Sequence, residues 1–315
     1  MWQPGRTGPD PVVGTAIAVR DLHKSYGSVE AVRGVDLEVQ EGEIFAFLGP
    51  NGAGKTTTVE ILEGYRQQTS GHVEVLGADP SKSTPAWRSR IGVVLQTCQV
   101  WSQLTVRESL ELHAGYYPSP RAVDETMTLA GLGEQADQRA GKLSGGQQRR
   151  LDVALALIGD PELLFLDEPT TGFDPAARRS AWDVIASLGE LGKTVFLTTH
   201  YMDEAQHLAD RVAIIKGGRI VAQGKPGELG GDDRAATTIG FRLPPGFGVS
   251  ELPTEIAQLV IDVDGRLQMS SRQPVRHLAD LCGWAVGRGI ELDDLEAVRP
   301  SLEDVYLSLT RDSET

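Results

Sequence analysis

The chain has little cysteine, few aromatics and no long hydrophobic run. Its 315 residues include 2 Cys, and Cys98 and Cys282 stand far apart in sequence. Such a pair implies free thiols in a reducing compartment and no disulfide framework. No Cys/His cluster has metal-ligand spacing, so no structural zinc is expected. No apolar run approaches the roughly 18 residues of a membrane-spanning helix. The opening stretch, Met-Trp-Gln-Pro-Gly-Arg-Thr-Gly-Pro-Asp, lacks the apolar core of a signal peptide and reads as a disordered tail over residues 1–14. Positive charge is scarce: 30 Lys and Arg stand against 44 Asp and Glu, a formal net charge of −14. Basic residues cluster no further than pairs such as Arg149-Arg150. That excludes a polybasic lipid anchor and argues against nucleic acid as a partner. What is present, 40% hydrophobic residues, is a globular composition, and the length suits one large domain or two.

The most informative stretch is Gly49-Pro50-Asn51-Gly52-Ala53-Gly54-Lys55-Thr56-Thr57. It fits the phosphate-binding pattern of Gly, four residues, then Gly-Lys-Thr. The run before it, Ile44 to Leu48, is continuously apolar and reads as a buried parallel strand. The run after it, Thr57 to Leu62, reads as a helix. Glycines there let the backbone wrap phosphates, and the helix N-terminus attracts negative charge. Lys55 would reach the β and γ phosphates, and Thr56 would place its hydroxyl on Mg2+.

Around this motif the pattern alternates strands and helices. Ile17–Val19 and Val35–Val39 alternate as strands ahead of the loop, and residues 70–77 form a turn and a short strand. Residues 91–95 make another buried run that ends at Gln96. Helical spacing over 104–116 and 123–130 marks a helical insertion, about residues 98–160. Then Leu163–Leu166 ends at Asp167-Glu168, and Val195–Thr199 ends at His200, with helices over 176–191 and 203–209. Gly217-Gly218 signals a hairpin. Four buried strands thus end on polar residues. In open α/β sheets ligands sit at the carboxyl ends of strands, so these ends can converge on one phosphate site.

Asp167 would hold Mg2+, and Glu168 would orient and polarise an attacking water. Leu143-Ser144-Gly145-Gly146-Gln147 opens another helix, over 148–158. With a hydroxyl, two flexible glycines and a helix N-terminus, it reads as a second phosphate nest. One nucleotide does not need two such nests from one chain.

Leu-Ser-Gly-Gly-Gln between these two phosphate motifs resembles the signature of the ABC ATPases. The resemblance implies a P-loop α/β fold with a mixed sheet, an N-terminal antiparallel β part and a helical subdomain. It implies that Tyr26 stacks on adenine, that Gln96 senses Mg2+ and the transporter partner, and that His200 contacts the γ-phosphate. Pro169-Thr170-Thr171-Gly172-Phe173-Asp174 resembles the D-loop, with Phe173 replacing the usual leucine, and places Asp174 at the nucleotide. Ser144, Gly145, Gly146 and Gln147 would then close on ATP held by a second chain, which implies a head-to-tail homodimer. Thr199-His200-Tyr201-Met202-Asp203-Glu204-Ala205 and Pro300 to Tyr306 are similar to exporter ATPases of the daunorubicin-resistance type. These pair with ABC-2 type permeases, on the cytoplasmic face of the membrane. The expected activity is ATP hydrolysis coupled to export, with drug or antibiotic efflux as one family cargo. A soluble or regulatory ABC ATPase is the alternative.

A Gly- and charge-rich stretch at 225–238 divides the chain, giving a nucleotide-binding domain over 15–230 and an accessory α+β domain over 231–315. In the second part, strands are expected over 238–243, 259–263 and 266–269, a helix over 274–287, and a last helix opened by a capping box at Ser301-Leu302-Glu303-Asp304. A coupling surface for the permease is expected near Gln96 and the helical insertion, where Trp101 and Leu104 either line it or pack in the core.

Overall fold

The computed structural model describes residues 14–95, 101–229, 237–298, 302–304 and 306. Gln96, Cys98 and the N-terminal tail therefore lie outside the described residues, as do Pro300, Ser301 and Val305. The chain divides into two compact units, 1–226 and 227–315.

In the first unit, β1 (Thr15–Tyr26) and β2 (Val29–Gln40) form an antiparallel pair, joined on the other side of β1 by β4 (Ser70–Val75). Both opening strands run 12 residues, longer than the sequence pattern implies. Register shifts around Leu22 and Ser25 explain the difference, since bulges interrupt the strict alternation.

The main sheet has the order β5-β6-β7-β3-β8-β9: β5 (Ile91–Val94), β6 (Leu163–Asp167), β7 (Thr194–Thr199), β3 (Ile44–Leu48), β8 (Arg211–Lys216) and β9 (Arg219–Gly224). All pairings are parallel except β8 with β9, a hairpin turned at Gly217-Gly218. Every residue of β3 is buried, as a strand covered on both faces requires. Phe196 on β7 packs against Phe45 and Phe165 on its neighbours, with ring centroids 5.7 and 5.8 Å away. These aromatic contacts across adjacent strands fix the register that brings the ends of β3, β6 and β7 to one level.

Helix α1 (Lys55–Leu62) follows β3, and a short α2 (Pro85–Arg88) precedes β5. The insertion holds α3 (Val106–Ala114), α4 (Val123–Leu129) and α5 (Gly145–Leu157). They share a small core of their own, including Leu110, Met127, Leu132, Leu151 and Ile158. Thr105 caps α3 in a reciprocal box with Glu108, which starts that helix two residues later than the apolar spacing implies. Helices α6 (Pro175–Glu190) and α7 (Met202–Leu208) follow β6 and β7.

The second unit is a four-stranded antiparallel sheet, ordered β11 (Ile261–Val263), β12 (Arg266–Ser271), β10 (Thr237–Arg242), β13 (Asp293–Val298). Helices α8 (Thr254–Leu259) and α9 (Pro274–Arg288) accompany it over a core of Ile239, Phe241, Ile256, Met269 and Leu281. The expected strand over 259–263 is corrected here. Pro253 opens a short helix that buries Ile256 and ends at Leu259, so only 261–263 remain extended. Residues 302–304 are helical. Cys282 is a free, partly exposed thiol. Among the described residues no helix is long and apolar enough to cross a membrane.

Candidate nucleotide site

The ends of β3, β6 and β7 open into one cleft of about 550 Å3. Pro50, Asn51, Gly52, Gly54, Lys55, Thr56 and Thr57 line it from the loop after β3, with Asp167, Glu168 and His200 from β6 and β7. Ala31, assigned no role from sequence, and Thr171 of the D-loop-like stretch complete the wall.

Two glycines make the loop possible. A Cβ on Gly49 would lie 2.4 Å from the Ile215 carbonyl, and one on Gly54 would lie 2.5 Å from the Ala31 carbonyl. Gly54 also takes φ +107, which disfavours other residues. The loop is thereby pressed onto β2 and β8, and α1 starts directly from it at Lys55. Lys55 folds back over the loop, and its Nζ donates to Gly49 O at 2.7 Å and Pro50 O at 3.2 Å. Burial lowers its pKa, while the Glu168 and Asp167 carboxylates oppose the shift.

Asp167 and Glu168 are held by Thr198 on the adjacent strand. The Thr198 hydroxyl donates to Asp167 Oδ1 at 2.5 Å, and Glu168 N donates to Thr198 O and Oγ1, both at 3.1 Å. Glu168 has φ +44, a left-handed conformation rare for a residue with a side chain. Its Oε2 accepts from the Thr171 hydroxyl at 3.1 Å, and its Oε1 lies 3.4 Å from His200 Nδ1. A carboxylate, an imidazole and an ammonium thus line one cleft. Thr198→Val keeps the strand-forming shape but removes the hydroxyl that sets both acids. We expect kcat to fall about tenfold with Tm little changed, measured by steady-state turnover and thermal melting.

Other expected site residues lie off the cleft wall. Tyr26 is 41% exposed at the end of β1, with Lys24 and Arg66 over its ring at 5.1 and 5.5 Å. Ser144 and Gln147 cap each other across the first turn of α5: Gln147 N donates to Ser144 Oγ and Ser144 N to Gln147 Oε1. Asp174 caps α6, its Oδ1 accepting from Ala176 N and Ala177 N. None of these three groups lines the cleft.

Several buried carboxylates have no role assigned from sequence, Glu204 and Glu63 among them. Glu204, fully buried on α7, accepts from the Thr170 hydroxyl at 2.7 Å and from Trp182 Nε1 at 3.1 Å. Glu63 follows α1 and is pushed up to about 8 by burial, with the Asp167 and Glu60 charges adding to it. Between its ordinary 4.5 and about 8, the folded chain keeps a proton that the unfolded chain has lost. Stability therefore falls as pH rises through that window and levels off above it. Glu63→Gln removes this slope: its Tm matches wild type below pH 4.5 and exceeds it above pH 8, a difference read by melting across the window.

Cleft, strand order and loop together define a P-loop nucleoside-triphosphatase. Residues 32–171 match the ABC transporter family, and 237–301 match the C-terminal domain of ABC transporter domain-containing-like proteins. A daunorubicin resistance ATP-binding protein of Streptomyces coeruleorubidus is 38% identical, over 95% of this chain and 96% of the relative. A Nod factor export ATP-binding protein I of Cupriavidus pinatubonensis is also 38% identical, over 96% and 93%. Among solved structures, CbiO1 of Clostridium perfringens, part of an ABC transporter complex, aligns with TM-score 0.63 and 28% identity, over 69% of this chain and 90% of that one. A dimeric ATP-binding cassette in a post-hydrolysis state with ADP and Pi aligns at 0.59 and 27%, over 66% and 98%. The chain belongs to the ABC transporter family as an ATP-binding, ATP-hydrolysing subunit.

Proposed function

We propose that this subunit works as a head-to-tail homodimer that powers an ABC-2 type exporter through a separate permease, peripheral to the cytoplasmic face of the membrane. The observation that carries the reading is the position of Ser144–Gln147. The stretch read as a second phosphate nest opens α5 and does not line the cleft of its own chain. A second copy offers it a use: each chain's α5 N-terminus closes on ATP held by the other. ATP contacted from both sides favours the closed pair, and hydrolysis releases it.

Gly49 to Thr57 would hold the phosphates, with Tyr26 toward the base and Asp174 near the interface. Thr56 and Asp167 supply hard oxygen donors in one cleft, a set that fits Mg2+, which keeps several waters and needs few protein ligands. Bound there, Mg2+ would neutralise charge on the phosphates. Gln96 is proposed to join that site, and the surface near it to meet the permease. Trp101, 67% exposed at the start of the insertion, supports that placement. The names of the relatives support export as the direction of transport. The cargo is set by the permease. Nucleic acid has no place in this reading.

The test is turnover in vesicles with and without a co-expressed ABC-2 type permease. Stimulation that disappears in Trp101→Asp, with basal turnover kept, supports coupling at this surface. Turnover indifferent to every such permease contradicts it and favours an uncoupled soluble ATPase.

A further inference from the structure

Arg149 stands on α5, one turn beyond the signature, and is 7% exposed. Its guanidinium reaches three main-chain carbonyls from two segments, the end of β5 and the end of β6. Nε donates to Pro169 O at 3.1 Å, Nη2 to Asp167 O at 2.9 Å, and Nη1 to Leu95 O. Asp152, one turn along, pairs with Nη1 at 3.6 Å. Asp167 and Pro169 flank Glu168, so a single planar fork grips the chain on both sides of a residue held at φ +44. Such a backbone conformation persists only when its surroundings over-determine it. Leu95 is the residue before Gln96.

We propose that Arg149 is a positioning residue for hydrolysis: it locks the signature helix to the two ends of the Glu168 turn, so both move as one unit. A buried guanidinium serves this end because it can satisfy several diverging carbonyls at once, whereas an ammonium is a compact point donor. Resting on the two-chain sandwich proposed above, the link also carries information. The signature serves the partner's ATP, while Glu168 serves the chain's own. Closure at one site thus sets the turn that works at the other, and ATP hydrolysis is cooperative through Arg149.

The test uses the full-length chain with Arg149→Lys, which keeps the charge and the Asp152 pair. We expect kcat to fall more than about tenfold while ATP Kd stays within about twofold and Tm within a few degrees. The Hill coefficient for ATP falls from about 2 toward 1. Hydrogen exchange of residues 165–175 and 143–150 rises together in the ATP-bound variant, a readout that needs no turnover. Unchanged kcat, or unchanged exchange at 165–175, overturns the proposal. So does a joint collapse of kcat, Kd and Tm, which would make Arg149 a support of the fold alone. A control separates the two layers: if Glu168→Gln stays monomeric in ATP by light scattering, the sandwich fails, while the split between kcat and Kd still judges the positioning role.

Discussion

Glu168→Gln should abolish steady-state turnover, lowering kcat by roughly 10²–10⁴-fold, the range of a lost general base. The amide keeps the shape and can still accept from the Thr171 hydroxyl, so the turn at φ +44 survives. What it loses is the capacity to take a proton from water. Asp167 has its Oδ1 held by the Thr198 hydroxyl at 2.5 Å and is assigned to the Mg2+ site in this reading, so it is not expected to take over that proton. His200 lines the same cleft, with its Nδ1 3.4 Å from Glu168 Oε1. ATP affinity should stay within about twofold, since the phosphate loop is untouched. Radiolabelled phosphate release beside equilibrium ATP binding checks both halves. A variant that keeps wild-type kcat removes Glu168 from the role of base.

Lys55→Ala should produce the second large effect, a loss of roughly 10²–10³ in kcat, as for removal of one preorganised donor to developing charge. ATP affinity falls as well, because the ammonium contacts the ground state too. Lys55 Nζ rests on Gly49 O and Pro50 O, and its neighbours Thr56 and Thr57 line the same wall. Burial already lowers its pKa, so the side chain favours an anion that shares its desolvated site. The α1 amides remain, so residual binding persists. Kd and kcat measured together separate the two contributions; unchanged values for both would remove Lys55 from the phosphate site.

The strand ends were legible because a buried strand that stops on a charged residue breaks its own pattern. Leu163–Leu166 ending at Asp167, and Val195–Thr199 ending at His200, could be read without coordinates. The loop at Gly49–Thr56 could be read because few chemistries need that spacing. Arg149 was less visible, since it stands in an Arg pair at the start of a helix and resembles a solvated residue. Its spacing to Asp152, Val153 and Ala156, all buried, is the trace it leaves on the apolar face of α5. Glu63 and Glu204 were hidden for a different reason. Glu63 just follows α1 and Glu204 lies on α7, and only tertiary packing decides that either is buried. β13 had no alternation to find, because all six of its residues are exposed. The second unit therefore took part of its sheet from pairing rather than from pattern.

The account turns on whether one site is built by two chains. Gly145 is well suited to test this. A Cβ there meets nothing within 4 Å, and an acid at the first turn of a helix is tolerated. Gly145→Asp should fold normally and repel the partner's triphosphate. The measurement is ATP turnover of Lys55→Ala and Gly145→Asp chains, each alone and then mixed. Head-to-tail pairing predicts that each is inactive alone and that the mixture recovers measurable turnover, at most about a quarter of wild type, because half of the random dimers hold one intact composite site. A mixture as inactive as its parents, with exchange of subunits confirmed, would contradict the two-chain site.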